Sequence, residues 1–132
     1  MLLVIAAFVA AACHFLLSII DGLGSIELCY NNLGVSFGLL SGADQWLIVT
    51  VSAFFLVILV IQAFRESEEK FRYAILGICI ASAGNLIDRV MGGGVCDYIR
   101  LPFLPISNFN DWVITLYLGY YLVLTVKDIN QC

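Results

Sequence analysis

Residues 83–114 of this chain read AGNLIDRVMGGGVCDYIRLPFLPISNFNDWVI, a polar segment between two apolar ones of membrane-spanning character. The segment carries three of the ten acidic residues, Asp88, Asp97 and Asp111, and two of the six basic ones, Arg89 and Arg100. Carboxylates at the edge of lipid are costly to keep, so they indicate a functional site by default. We therefore interpret the rest of the chain as a scaffold that brings these groups together.

The composition is that of an integral membrane protein. Of 132 residues, 62% are hydrophobic and 12% are charged, and the mean hydropathy is +1.02. A soluble domain has roughly a quarter of its residues charged. The length accommodates about four spans with short connections. We predict an all-α integral membrane fold in which residues 1–132 form a single domain of four transmembrane helices.

Four apolar segments are predicted to be the membrane-spanning helices: residues 1–20, 46–64, 73–87 and 108–126. Residues 65–72 (RESEEKFR) carry mixed charges and are predicted to form a solvated loop. The connection over residues 21–45 is rich in glycine, which breaks long helices. Within it, residues 26–30 favour a short strand or an interfacial segment.

The distribution of basic residues predicts the orientation in the membrane. Three of the six lie within residues 65–72 and Lys127 follows the fourth helix, whereas Arg89 and Arg100 lie on the opposite side. The positive-inside rule then places both termini in the cytoplasm and a small element between helices 1 and 2 outside it. The net charge of −4, without a basic cluster, argues against nucleic acid as a partner.

The cysteines and the histidine give weaker signals. Five cysteines form no C-x-x-C pair, so zinc or dithiol chemistry has no support. Those in or beside spans are interpreted as small apolar residues. Cys29 and Cys96 would lie on the same side of the membrane, and the sequence leaves open whether they form a disulfide bond. His14 is the only histidine; we interpret it as a packed, hydrogen-bonded residue, remote from the aspartate-bearing loop.

The three aspartates are expected at similar depth, because the third helix runs outward to Asp88 and the fourth starts near Asp111 and runs inward. Two carboxylates held close together cannot both ionise cheaply, so they share a proton. The charged carboxylate can take a proton from water while the protonated one donates to a carbonyl oxygen. An aspartic peptidase uses two carboxyl groups in this way. It needs no metal or cofactor, and the sequence offers no credible set of metal ligands.

Two amides are spaced to act on these carboxylates. Asn85 with Asp88, and Asn108 with Asp111, are each three residues apart, which puts amide and carboxylate on one helix face. Such an amide can orient the carboxylate or hold a substrate carbonyl. The structural alternative is that one aspartate caps a helix and another pairs with Arg89, and for Asp88 the sequence leaves both interpretations open.

Four short motifs resemble those of the bacterial lipoprotein signal peptidases, or type II signal peptidases. They are NLGVSF at residues 32–37, GNLIDR at 84–89, VCDY at 95–98 and NFND at 108–111. Their order and the layout of four spans agree with that family. The resemblance implies that Asp97 and Asp111 are a catalytic pair. It also implies an enzyme that cuts a lipoprotein precursor just before its diacylglyceryl-modified cysteine.

The resemblance assigns supporting or substrate-binding positions as well: Asn32, Gly34, Asn85, Asp88, Arg89 and Asn108. It implies no metal and no cofactor. The implied partners are a lipid-modified prolipoprotein signal peptide and membrane lipids, and the protein would act as a monomer. The implied location is the bacterial cytoplasmic membrane, with the active site near the extracytoplasmic face.

The chain departs from the family pattern in the first helix and beside Asp111. The family has an acidic residue followed four positions later by Lys, whereas here His14 is followed by Ser18, and Asp21 by Ser25. Three replacements lie beside Asp111: Ser107 for Phe, Asn110 for Ala and Trp112 for a small residue. The connections between helices are also short, so less structure is expected to cover the substrate.

Two rival interpretations remain. One is a catalytically inactive binding or scaffold membrane protein that keeps the same fold. The other is a proton or ion conduit lined by the carboxylates. A conduit needs acidic or amide groups deep in the spans, and only Gln62, near the end of the second helix, approaches that requirement. We favour the active peptidase.

Overall fold

A computed structural model of the protein describes residues 1–23, 28–34 and 42–130. Its elements, in chain order, are α1 (Leu2–Gly22), β1 (Tyr30–Asn32), α2 (Gln45–Arg65), α3 (Glu69–Gly92), β2 (Val95–Asp97) and α4 (Phe109–Ile129). All four helices are long and apolar enough to cross a membrane. The prediction of an all-α integral membrane fold with four transmembrane helices is confirmed.

The third helix is longer at both ends than the sequence pattern predicted. It starts at Glu69, so the loop predicted over residues 65–72 is confirmed only for residues 66–68, and its other residues belong to α2 and α3. The charged residues extend the helix instead, because an acidic side chain in the first turn is favourable to the helix dipole. Lys70 binds Asp128 at the end of α4 over 2.8 Å. At its other end α3 stops at Gly93, whose φ of 72° is the left-handed conformation that glycine adopts readily.

The central element is α3, which packs against α1, α2 and α4. Its small residues permit this close approach, as in other membrane bundles. The side chain of Tyr117 lies directly over Gly77, and its hydroxyl donates to the carbonyl of Leu3 on α1. The main buried cluster joins three helices: Ala7, Ile78, Ala81, Val113 and Tyr117. Large apolar side chains such as Phe8, Phe54 and Leu116 point outward, as contact with lipid requires.

We expect Gly77→Ala to destabilise the bundle by about 1–3 kcal/mol, because the added methyl group would overlap the ring of Tyr117 and force it to move. Gly119→Ala on α4 is the matched control, because nothing lies within 4 Å of its added methyl group. That change should be stabilising by up to about 1 kcal/mol through helix propensity. Thermal unfolding in detergent measures both variants. Equal shifts would show that Gly77 has no special packing role.

A two-stranded antiparallel sheet lies at the end of the bundle where α1 and α3 finish and α4 starts. Its register pairs Tyr30 with Asp97, Asn31 with Cys96 and Asn32 with Val95. The small element expected between helices 1 and 2 therefore consists of one strand from that connection and one strand from the connection between α3 and α4. The strand predicted at residues 26–30 overlaps β1 only at Tyr30, and residues 26–27 lie outside the described residues.

A disulfide bond links Cys29, just before β1, to Cys96 in the middle of β2, with Cα atoms 4.9 Å apart. The bridge that the sequence left open is therefore formed. Of the other cysteines, Cys13 is exposed and Cys79 is buried, while Cys132 lies outside the described residues. The topology puts both termini at the opposite end of the bundle from the sheet. Which end faces the cytoplasm stays a prediction.

Candidate active site

The carboxylate of Asp97, at the end of β2, is buried between two amides. Its Oδ2 accepts a hydrogen bond from Asn32 Nδ2 over 2.8 Å, and its Oδ1 accepts one from Asn108 Nδ2 over 2.7 Å. Both amides are fixed in orientation because their oxygens accept backbone N–H groups, of Gly34 and of Asp111 respectively. The two amide nitrogens must therefore face Asp97.

The second carboxylate, Asp111, lies in the first turn of α4. It forms a capping box with Asn108, whose backbone N–H donates to Asp111 Oδ2 over 3.3 Å. Its Oδ1 accepts a hydrogen bond from Asn85 Nδ2 over 3.0 Å. Asn108 thus contacts both aspartates, through its side-chain nitrogen to Asp97 and through its cap to Asp111. The position of α4 and the orientation of the site depend on the same residue.

Asp97 and Asp111 line one small pocket together with Asn32, Asn85, Arg89 and Val95. Burial raises the pKa of the Asp97 carboxyl above its ordinary value, and the nearby charge of Asp111 raises it further, while the hydrogen bonds from Asn32 and Asn108 oppose the rise. A raised pKa favours retention of a proton by one member of the pair. The structure therefore places the two aspartates in one pocket, as expected from the sequence.

Arg89 fixes the polypeptide around the pocket through two backbone carbonyls. Its Nη2 donates to the carbonyl of Gly34 over 2.9 Å, and its Nη1 donates to the carbonyl of Asn85 over 3.2 Å. Among the described residues it forms no ion pair, so the alternative of an Asp88–Arg89 pair is wrong. Its Nε–H is buried and has no partner within that part of the chain.

Asp88 lies behind β2 and does not line the pocket that holds the other two aspartates. It accepts hydrogen bonds from His14 Nε2 over 3.0 Å, from Ser18 Oγ over 3.3 Å and from the backbone N–H of Cys96 over 3.0 Å. The expectation that the amide of Asn85 orients Asp88 is wrong, because this amide donates its hydrogen bond to Asp111 on the neighbouring helix. Asp88 supports the strand that carries Asp97.

His14 is packed and hydrogen-bonded as expected, but the prediction that it is remote from the aspartate-bearing loop is wrong. It is 1% exposed and lies against Asp88 and Tyr98. The error has a physical cause. Because lipid is as apolar as the interior of a helical bundle, the sequence pattern of α1 does not show which side packs against α3.

Asn110 contacts a residue of the site, although the sequence analysis named it only as a departure from the family pattern. Its side chain is completely buried and packs against Gly84. Its Nδ2 donates to Asn85 Oδ1 over 3.0 Å, which leaves the nitrogen of Asn85 for Asp111. The pairing of a glycine on α3 with a larger polar residue on α4 is a signal that sequence reasoning could have used. Residues 35–37 of the first motif lie outside the described residues.

This fold and site define a polytopic membrane protein with one buried and one partly buried carboxylate in a shared pocket at one end of its helical bundle. The chain belongs to the signal peptidase (SPase) II family, whose sequence profile matches residues 3–127. It is therefore a multi-pass bacterial membrane protease.

Named relatives support this placement. The chain is 34% identical over 117 residues to the lipoprotein signal peptidase of Allorhizobium ampelinum, with 83% of this chain and 70% of the relative covered. It is 32% identical over 109 residues to that of Caldicellulosiruptor bescii, with 82% and 70% covered. A solved structure described as a bacterial membrane enzyme has the same fold, with a TM-score of 0.82 at 22% identity over 97% of this chain and 90% of that one.

Proposed function

We propose that this protein is an aspartic endopeptidase that removes signal peptides from prolipoproteins just before the diacylglyceryl-modified cysteine. Membership of the signal peptidase II family supports the reaction and the substrate class. The observation that carries the catalytic type is the shared pocket of Asp97 and Asp111. Each carboxylate is held by two hydrogen-bond donors, so both are oriented before a substrate arrives.

The proposed reaction is general acid–base hydrolysis. The ionised carboxylate takes a proton from a water molecule as the water oxygen bonds to the carbonyl carbon of the scissile peptide. The protonated carboxylate donates its proton to the carbonyl oxygen, which gives a tetrahedral diol. On collapse, the C–N bond breaks, one carboxyl proton passes to the amine nitrogen and the other carboxylate takes a proton from the diol. The pair returns to a single shared proton.

Arg89 is the proposed contact for the substrate backbone. Its guanidinium lines the pocket, and its buried Nε–H has no acceptor among the described residues. A buried donor without an acceptor is costly, and a peptide carbonyl would satisfy it. Asn32 and Gly34 would position the substrate indirectly, because β1 is held to Asp97 by the first and to Arg89 by the second.

The proposed location of the site is the extracytoplasmic face of the membrane. Two independent features support it. The basic residues concentrate at the other end of the bundle, as the positive-inside rule requires of the cytoplasmic side. The Cys29–Cys96 disulfide lies at the same end as the aspartates, and disulfides persist in oxidising compartments.

The test uses purified protein in detergent or lipid with a diacylglyceryl-modified precursor and the same precursor without lipid. We expect the wild type to release a signal peptide that ends just before the modified cysteine, identified by mass spectrometry. The double variant Asp97→Asn/Asp111→Asn should leave the precursor intact. Tight binding of the precursor without cleavage by the wild type would support a non-catalytic scaffold and overturn the proposal.

A further inference from the structure

His14 is connected to the polypeptide on both sides of the aspartate pair. Through Nε2 it contacts Asp88, which also accepts the backbone N–H of Cys96, the residue before Asp97. Through Nδ1 it lies 3.4 Å from the hydroxyl of Tyr98, which accepts the backbone N–H of Phe109, the residue after Asn108. One imidazole therefore links helix α1 to the strand that carries Asp97 and to the start of the helix that carries Asp111.

The hydrogen bonds around His14 relate the position of the Tyr98 hydrogen to the tautomer of the ring. The oxygen of Tyr98 accepts a hydrogen bond from the backbone N–H of Phe109, and its other hydrogen-bond partner among the described residues is His14 Nδ1. Burial raises the pKa of Tyr98 to about 12, so this hydroxyl keeps its hydrogen. If the hydroxyl donates to Nδ1, that nitrogen carries no hydrogen, and the ring hydrogen lies on Nε2, where it is donated to Asp88 Oδ2.

We propose that His14, which accepts from Tyr98 at Nδ1 and donates to Asp88 from Nε2, is a positioning residue that sets the separation of Asp97 and Asp111. This inference rests on the proposed peptidase function. The imidazole is rigid, so the carboxylate of Asp88 and the hydroxyl of Tyr98 are held at fixed positions on opposite sides of it. Displacement of either would move β2 or the first turn of α4, and an error of about 1 Å in a catalytic pair can cost about 100-fold in rate.

The kinetic test compares three substitutions with wild type on the lipid-modified precursor. His14→Leu removes both contacts and should lower kcat by about 10- to 100-fold, with KM changed by less than about threefold. His14→Gln supplies a donor and an acceptor and should recover about tenfold of that loss. Leu16→Ala, on the outward face of the same helix, should leave both constants unchanged. Equal kcat values for wild type and His14→Leu would overturn the proposal.

A spectroscopic test needs no activity, and its first part uses the wild type alone, so that part does not depend on the folding of a variant. The chain has a single histidine, so protein grown with ¹⁵N-labelled histidine gives one pair of ring signals. We expect the signals of a neutral ring protonated on Nε2, and a shift of the Nδ1 signal in Tyr98→Phe. A ring protonated on Nδ1, or an Nδ1 signal unmoved in Tyr98→Phe, would overturn the proposal. Failure of the wild type to cleave would instead count against the peptidase function.

Discussion

Asp97→Asn and Asp111→Asn are each expected to lower kcat for precursor cleavage by about 100- to 10,000-fold. Either substitution leaves one carboxylate in the pocket, and a single carboxylate cannot both take a proton from water and donate one to the carbonyl oxygen. Binding of the precursor should change little, because the substituted side chains keep their size. Cleavage assays with purified variants, together with binding measured by competition, separate the two effects.

The matched control is Asp128→Asn, which makes the same chemical change at the other end of α4. Asp128 binds Lys70 at the surface and does not line the pocket. Its replacement should leave kcat within about twofold of wild type, because the energy of an exposed ion pair is small and acts locally. Thermal unfolding of all three variants excludes misfolding as a cause. A wild-type rate in either Asp97→Asn or Asp111→Asn would refute the aspartic mechanism.

The four helices and the meeting of the two aspartates could be predicted because both depend on properties that are local in sequence. Length and hydropathy specify a span, and alternate spans run in opposite directions. The end of the third helix and the start of the fourth must therefore share one side of the membrane. Asp97 lies between them, so its depth is limited by the short connection. This reasoning needs no knowledge of how the helices pack.

The partners of Asp88 could not be predicted for the opposite reason. They depend on the rotation of α1 about its own axis. In a soluble protein, the polar face of a helix indicates its orientation, but lipid is as apolar as a protein core and removes that signal. His14 and Ser18 are four residues apart on one face of α1, and that face turned out to be the one against α3. Their spacing was visible in the sequence, but their partner was not.

After the loss of a catalytic aspartate, the loss of the Cys29–Cys96 disulfide is expected to have the largest effect on the protein, through its stability and its activity. The bond closes a loop with a sequence separation of 67, and removal of such a constraint lowers the free energy of unfolding by up to about 4 kcal/mol in the chain-entropy model. The measured loss should be smaller, because membrane insertion already restricts the unfolded chain. Thermal unfolding of the Cys29→Ser/Cys96→Ser variant measures it.

Activity should fall with stability, because the disulfide joins the two segments that hold one catalytic group. Cys96 immediately precedes Asp97, and Cys29 leads into the strand whose Asn32 donates to Asp97. Without the bond, Asn32 is kept at 2.8 Å from that carboxylate by hydrogen bonds alone, chiefly the three-residue strand pairing and the bond from Arg89 to Gly34. A misaligned carboxylate lowers kcat more than KM, because the alignment matters most in the transition state.

A reducing agent gives an independent form of the same test. The bridge lines an open cavity between α1, α3 and the sheet, so a small thiol or phosphine can reach it. Wild type and Cys13→Ala should both lose stability and activity on reduction, because Cys13 takes no part in the bond. The Cys29→Ser/Cys96→Ser variant should show no further change. If the Cys29→Ser/Cys96→Ser variant kept wild-type activity, the disulfide would have no role in holding Asp97. A loss on reduction that persisted in that variant would arise at another site.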